Sequence, residues 1–259
     1  MKDEVVSELT AKRANYGNWV SAKLIYIPGV INILLAGLSL LLPVVAVFAV
    51  IFFLCFAYFA NARYQFSPKG GNIQTKIQGL MLDYFEWDGE GKVLDIGCGN
   101  APLTIKIARK YPDAEITGVD YWGKTWEYSK GVCERNAEIE GVRDSVVFQK
   151  ASASSLPFDD ESFDAAISNL TFHEVRDVRD KKLLIKEALR VVRKGGSFAF
   201  QDLFLWKRVY GEIDALLNTI RSWGIESVGF VDTSDSEFIP KTLKLPFMVG
   251  TIGILYGRK

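Results

Sequence analysis

The sequence predicts an α/β chain with a hydrophobic helical hairpin in front of it. Three observations carry that expectation. Residues 92–96 form a short apolar run that breaks into Gly97 and Gly99 and then into a helical pattern over 102–110, the pattern of strand, tight turn and helix N-terminus. A second apolar run at 115–120 ends on the carboxylate Asp120. Ahead of both, residues 24–62 hold thirty-nine residues without one charge.

Composition narrows the class. With 259 residues, 49% hydrophobic and 24% charged, the chain has apolar material for one substantial core. Residues 1–23 carry four Lys or Arg against three acids, and 63–259 carry 27 against 28. Neither part has the basic excess of a nucleic-acid binder, so no nucleic-acid partner is expected. Cys55, Cys98 and Cys133 have no framework spacing, which fits a reducing compartment and implies no disulfide or structural zinc.

In chain order, residues 1–23 read as a cytosolic N-terminal segment. Residues 24–62 as one helix would run about 58 Å, roughly twice the ~30 Å hydrocarbon core of a bilayer, so one straight span is excluded. Pro43 lies near the middle and naturally opens a second helix, giving a hairpin of two segments of about nineteen residues. Pro28 and Gly29 would delay the first helix, leaving about fifteen residues, and the turn at Leu42 and Pro43 has no polar side chain. A transmembrane hairpin and a re-entrant one therefore both stand. Lys12, Arg13 and Lys23 before it, and Arg63, Lys69 and Lys76 after it, place both ends on the cytosolic side, which predicts a membrane location with the remaining domain facing the cytoplasm.

Residues 63–71 read as a polar connector broken by Pro68, Gly70 and Gly71, and 72–259 as the second domain, opening on a helix over 72–86. Beyond a strand at 197–202, residues 207–223 show helical spacing with Ile213, Leu216, Leu217 and Ile220 on one face. Strands are expected at 226–231 and 249–256, with Pro240 and Pro246 in the loop between.

The glycine turn and Asp120 describe a nucleoside pocket. Gly97 and Gly99 permit close approach to bare backbone, and Asp120 can accept the hydroxyl protons of a ribose. In the dinucleotide fingerprint a third glycine would stand at position 102, offering N–H groups to a pyrophosphate; Pro102 has none to offer. Tyr121 and Trp122, next to the carboxylate, can cover a flat base or pack against the next helix. Trp126 reads as core. Asp159, Asp160 and Glu161 read as a solvated turn, and no metal site is expected.

The pattern D-x-G-x-G-x-A at 95–101 resembles motif I of the class I S-adenosylmethionine-dependent methyltransferases. The resemblance stays in register from about residue 72 to 205. Residues 151–158 resemble the family's loop over the adenine, 162–169 its motif IV, and 187–196 the helix and glycine turn before strand 5. The ubiquinone and menaquinone C-methyltransferase branch is the most similar. The resemblance implies a doubly wound, Rossmann-like methyltransferase sheet, with the strands at 226–231 and 249–256 closing it antiparallel, and S-adenosyl-L-methionine as cofactor. It implies contacts at Asp95, Gly97, Cys98, Gly99, Asp120, Tyr121, Trp122, Ser152, Ala153 and Asn169. Ser152 stands where that branch has an acidic residue for the adenine amino group; a hydroxyl accepts the same proton more weakly.

For catalysis the candidates are His173, the only histidine, and Asn169, both just past or at the end of the fourth strand, where acceptors bind in open α/β sheets. His173 reads as a base or orienting group, or as a helix-start hydrogen bond without chemical role. Asp202 is a similar candidate at the end of the fifth strand. With the hairpin, these predict a membrane-anchored methyltransferase of a small, lipophilic or lipid acceptor. A soluble acceptor, and a non-catalytic cofactor-binding membrane protein, are the alternatives.

Overall fold

The computed structural model describes residues 13–123 and 128–259, which fall into two compact units. One is residues 18–77; the other joins residues 78–259 to the segment ending at Gly17.

The smaller unit is a helical hairpin. Helix α1 (Lys23–Ser39) runs through Pro28, so the expected delay does not occur: the helix loses one hydrogen bond there and continues. A 3-10 turn at Pro43–Val45 leads into α2 (Ala46–Phe66), as Pro43 at a helix start favours. Together Pro43–Phe66 give 24 helical residues. Gly29 lets the two helices close, since a Cβ there would stand 3.2 Å from the Phe56 ring. The amide of Asn32 donates to the Ala49 carbonyl at 2.7 Å, so the one amide side chain within α1 is satisfied across the pair. Most of the remaining surface is apolar and exposed, up to 85% at Leu40 and 80% at Leu41. At the foot of the hairpin, Asn18 Nδ2 donates to the Arg63 carbonyl at 3.0 Å, Arg63 donates to the Val20 carbonyl, and Trp19 lies 5.8 Å from Phe66. Helix α2 takes in residues 63–66, so only the rest of the expected connector is a turn.

The boundary between units falls within α3 (Ile73–Asp83). The larger unit then alternates: β1 (Lys92–Ile96), α4 (Pro102–Lys110), β2 (Glu115–Asp120), α5 (Lys130–Ile139), β3 (Val146–Lys150), β4 (Phe163–Asn169), α6 (Lys182–Arg190) and β5 (Val192–Asp202). It ends with α7 (Lys207–Tyr210), α8 (Ile213–Arg221), β6 (Ser227–Asp232) and β7 (Gly253–Arg258). The seven strands order as β3-β2-β1-β4-β5-β7-β6, with β7 antiparallel to both neighbours. The order reverses between β1 and β4, the switch point at which open α/β sheets bind ligands beyond the strands' carboxyl ends.

Each face of the sheet carries its own core. Leu103, Ile107, Cys133 and Ala137 from α4 and α5 pack over one, and Leu184, Ile185, Leu216 and Ile220 from α6 and α8 over the other. Further boundaries differ from the sequence reading: α3 ends at Asp83 and not at 86, and β5 starts at Val192, so Gly195 and Gly196 lie within a strand. The helix expected over 207–223 is broken at Gly211, whose φ of 78° ends α7 before α8 begins. The last strand starts at Gly253, four residues late, because Met248 and Gly250 both donate to the Leu245 carbonyl and fold that stretch into a turn.

Candidate active site

The site grows from the end of β1. Gly97, Gly99 and Ala101 all have positive φ (74°, 57° and 65°), which bends the chain sharply into α4. The N–H groups of Gly97 and Cys98 both donate to the Val119 carbonyl, at 2.7 and 3.0 Å, tying the turn to β2. A Cβ on Gly97 would lie 2.0 Å from Thr171 Oγ1, so the glycine is required by a neighbour in the chain. Asp95 is 1% exposed, and its Oδ2 accepts from Thr104 N–H at 3.0 Å and from Thr104 Oγ1 at 2.6 Å. Burial pushes its carboxyl up to about 7 against those hydrogen bonds. Through Thr104 this side chain braces the turn against α4. Cys98 is likewise buried, its thiol pushed up by burial, and it offers a ligand only its backbone.

Asp120 faces the other way. Its Oδ2 accepts from Gly99 N–H at 3.0 Å and its Oδ1 from Trp122 N–H at 2.7 Å. The Tyr121 N–H acts on the same carboxylate, and lone-pair capacity for a ligand still remains. Burial raises its pKa and those backbone hydrogen bonds oppose the rise. The two aromatics separate. Trp122, at φ 44°, donates from Nε1 to the Gly99 carbonyl at 3.0 Å and forms a wall of the turn. Tyr121 is 64% exposed, with Lys150 Nζ 5.0 Å from its ring centre. Trp126 lies outside the described residues.

Several neighbours of the turn escaped the sequence reading. A Cβ on Gly99 would stand 3.6 Å from the Tyr128 ring, and one on Gly17 3.2 Å from the same ring. Asn136, buried on α5, donates to the carbonyls of Asn15 and Asn100 and accepts from Asn15 N–H. The segment before the hairpin thus belongs to the larger unit. A buried asparagine within a helix is the only signal the sequence offered.

Beyond β3, Ser152 Oγ lies 2.7 Å from Ser154 Oγ, which donates to Asp177 Oδ2 at 2.5 Å. An acid does stand behind Ser152, one hydroxyl removed, within a charged segment that reads in sequence as a solvated face. Ala153 is buried in the core. Asp160 pairs with Arg190 at 2.6 Å and Glu161 with Lys259 at 3.7 Å, and no cluster of metal-ligating side chains occurs among the described residues.

At the end of β4, Leu170 takes φ 55° and turns the chain across the sheet's edge. Asn169 Oδ1 is buried there without a hydrogen-bond partner among the described residues. His173 Nδ1 lies 2.8 Å from Asp202 Oδ1 on β5, and its Nε2 3.5 Å from Glu174 Oε1. Burial acts to lower the imidazole's pKa; the Asp202 charge and the hydrogen bonds to Asp202 and Glu174 outweigh it and push it up to about 10. Glu174 is held low by the same contact. Both ring nitrogens of His173 thus face carboxylate oxygens, an arrangement that favours the doubly protonated ring at neutral pH.

A bare glycine backbone, a carboxylate with spare lone pairs over it and an orphaned amide oxygen at the next strand end fit a nucleoside carrying further polar groups. Residues 94–200 match the family model described as a methyltransferase domain. The chain carries a class I S-adenosylmethionine-dependent methyltransferase domain, and S-adenosylmethionine is that class's cofactor. The chain is 35% identical over 114 residues to 27-O-demethylrifamycin SV methyltransferase of Amycolatopsis mediterranei, covering 44% of this chain and 39% of that protein. It is 37% identical over 109 residues to demethylmenaquinone methyltransferase of Roseiflexus castenholzii, covering 42% and 41%. The match spans about two fifths of the length of these relatives. In fold alone, it is similar to geranyl diphosphate C-methyltransferase of Streptomyces coelicolor, with a TM-score of 0.54 at 14% identity over 72% of this chain and 79% of that one.

Proposed function

We propose that this protein is a membrane-anchored methyltransferase that uses S-adenosylmethionine to methylate a small, lipophilic acceptor on the cytoplasmic side of a membrane. Asp120 is the observation that carries the reading: a carboxylate fixed by Gly99 and Trp122 N–H groups, with lone pairs left above bare backbone. When bound, S-adenosylmethionine supplies an electrophilic methyl group on a sulfonium. The chain's own task is to hold and align. Asp120 would take the ribose hydroxyls, the Gly97 to Gly99 backbone would lie against the nucleoside, and Asn169 Oδ1 would accept a donor from the same ligand.

The anchor rests on the hairpin. The 24 residues of Pro43–Phe66 give about 36 Å of helix, more than the ~30 Å of hydrocarbon, and the apolar side chains of both helices are largely exposed. The 17 residues of α1 give about 26 Å, so a full crossing needs local thinning of the bilayer, and a re-entrant course needs none.

Two measurements test the parts separately. Calorimetric titration of the full chain with S-adenosylhomocysteine should show binding that Asp120→Ala weakens by tenfold or more, from loss of charge-assisted hydrogen bonds worth about 1.5–3 kcal/mol each. Equal affinity in both proteins sinks the cofactor assignment. The protein should stay with membranes through high salt and alkaline carbonate; release by salt alone sinks the anchor.

A further inference from the structure

Asp202 is fully buried, and every partner of its two oxygens is a donor. Oδ2 accepts from the N–H groups of Phe172 (2.8 Å) and His173 (3.4 Å), and Oδ1 from Leu203 N–H (2.7 Å) and His173 Nδ1 (2.8 Å). His173 is the one cationic side chain paired with it among the described residues. At the opposite edge of the ring, Nε2 meets Glu174 Oε1 at 3.5 Å. A ring with a carboxylate oxygen at each nitrogen donates from both, because either neutral tautomer would aim a lone pair at one of those oxygens. The other charged or titratable neighbours do not undo this. Arg176 acts on Glu174. Tyr210, from α7, is buried beside Asp202 and stays protonated.

The two carboxylates differ in one respect. The Asp202 side chain is 0% exposed, while that of Glu174 is 39% exposed and that of His173 17%. Glu174 can swing away into water; Asp202 cannot. What remains when it does is a single N⁺–H on the acceptor side of the sheet, held in place from behind.

Building on the methyltransferase reading above, we propose that the acceptor binds as an oxyanion, a phenolate, enolate or carboxylate. Its charged oxygen takes from His173 Nε2 the place that Glu174 holds. An ionised acceptor needs no base. A lone pair of its oxygen forms the bond to the methyl carbon, the pair of the broken bond stays on the donor's sulfur, and His173 keeps both its protons. The methylated product has lost its charge, and with it the charge-assisted hydrogen bond, so Glu174 can return and displace it. A lipophilic body with one acidic oxygen fits both this contact and the anchor.

His173 is the chain's only histidine, so isotopic nitrogen in histidine gives an unambiguous NMR reading of both ring nitrogens in the full-length protein in detergent micelles. With S-adenosylhomocysteine bound, both should be protonated at about pH 8. Benzoate should shift the Nε2 signal, and the uncharged benzamide should not. Glu174→Gln, which leaves the Asp202 contact in place, should tighten benzoate binding severalfold. A lone pair on Nε2 at about pH 8 overturns the proposal. So does a ring blind to benzoate, or one responding equally to both probes. Failure to bind S-adenosylhomocysteine sinks the methyltransferase reading instead, and the ring's protonation is read independently of that.

Discussion

Asn136 holds Asn15 by both ends of its amide: Nδ2 donates to the Asn15 carbonyl at 3.0 Å while Oδ1 accepts from the Asn15 N–H at 2.9 Å. The same Nδ2 reaches the carbonyl of Asn100, next to Gly99, at 2.9 Å. One buried side chain therefore links the segment before the hairpin to the glycine turn. Asn136→Ala leaves these backbone groups unmet, at a cost of about 1–3 kcal/mol. A melting temperature lower by several degrees and weaker S-adenosylhomocysteine binding should appear together. A variant that loses stability and keeps full affinity would show that the linkage does not reach the turn.

The Gly97 and Thr171 pair should behave non-additively. Gly97→Ala places a Cβ 2.0 Å from Thr171 Oγ1 at a φ of 74°, combining overpacking of about 1–3 kcal/mol with about 1 kcal/mol of left-handed strain. Thr171→Ala takes away Oγ1 and Cγ2 but keeps its own Cβ 2.6 Å from the new one, so it relieves part of the collision and leaves the strain. Denaturant unfolding of the single and double variants should show the double variant more stable than the sum of the singles predicts. Strict additivity would mean that the contact carries no energy.

The histidine makes a pH signature. Its folded pKa, pushed up to about 10, lies above the unfolded value of about 6.5, so the folded state binds the proton more tightly. That stabilisation is complete below about pH 6.5 and is lost as pH rises through about 10. The melting temperature of the wild type minus that of His173→Gln should thus shrink steadily across this window. A difference that grows with pH contradicts the charge assigned to the ring.

Asp95 gives a contrasting test. Burial raises its folded pKa to about 7, above the unfolded value of about 3.9, so the folded state binds more protons between those values and loses stability as pH rises through them. Asp95→Asn removes that loss and should gain in stability relative to the wild type from about pH 4 to about pH 8. Because Asp95 reaches Thr104 and not the cleft, donor affinity should stay within about twofold, as calorimetry would show; a tenfold loss restores it to the ligand.

Local chemistry made most of this fold legible. Glycines at 97 and 99, a carboxylate at a strand end and a proline opening a helix each force a backbone outcome within a few residues, and the sheet follows from them. Where the reading fell short, the cause lay far along the chain. Nothing near Gly97 announces that Thr171 will fill the space above it, and nothing near Ser152 announces Asp177. The charge on His173 depends on Asp202, a strand away. The expected delay at Pro28 failed for another reason: the proline removes a single hydrogen bond, and packing against α2 beside Gly29 holds the helix on either side of it.

Thr171 Oγ1 lies 3.2 Å from the Ile96 carbonyl and 3.3 Å from that of Asn169, so one hydroxyl ties the glycine turn to the end of β4. Evolution cannot loosen one without disturbing the other. On the proposed function, divergence in acceptor choice is expected farther out, at residues 203–212 and 233–252, which hang from the ends of β5, β6 and β7 and are joined where Leu205 N–H donates to the Thr251 carbonyl at 3.0 Å. Trp206 and Phe247, both exposed, sit in these segments. Descendants of this chain with new acceptors should differ there first, and keep residues 95–104 and 168–173 nearly unaltered.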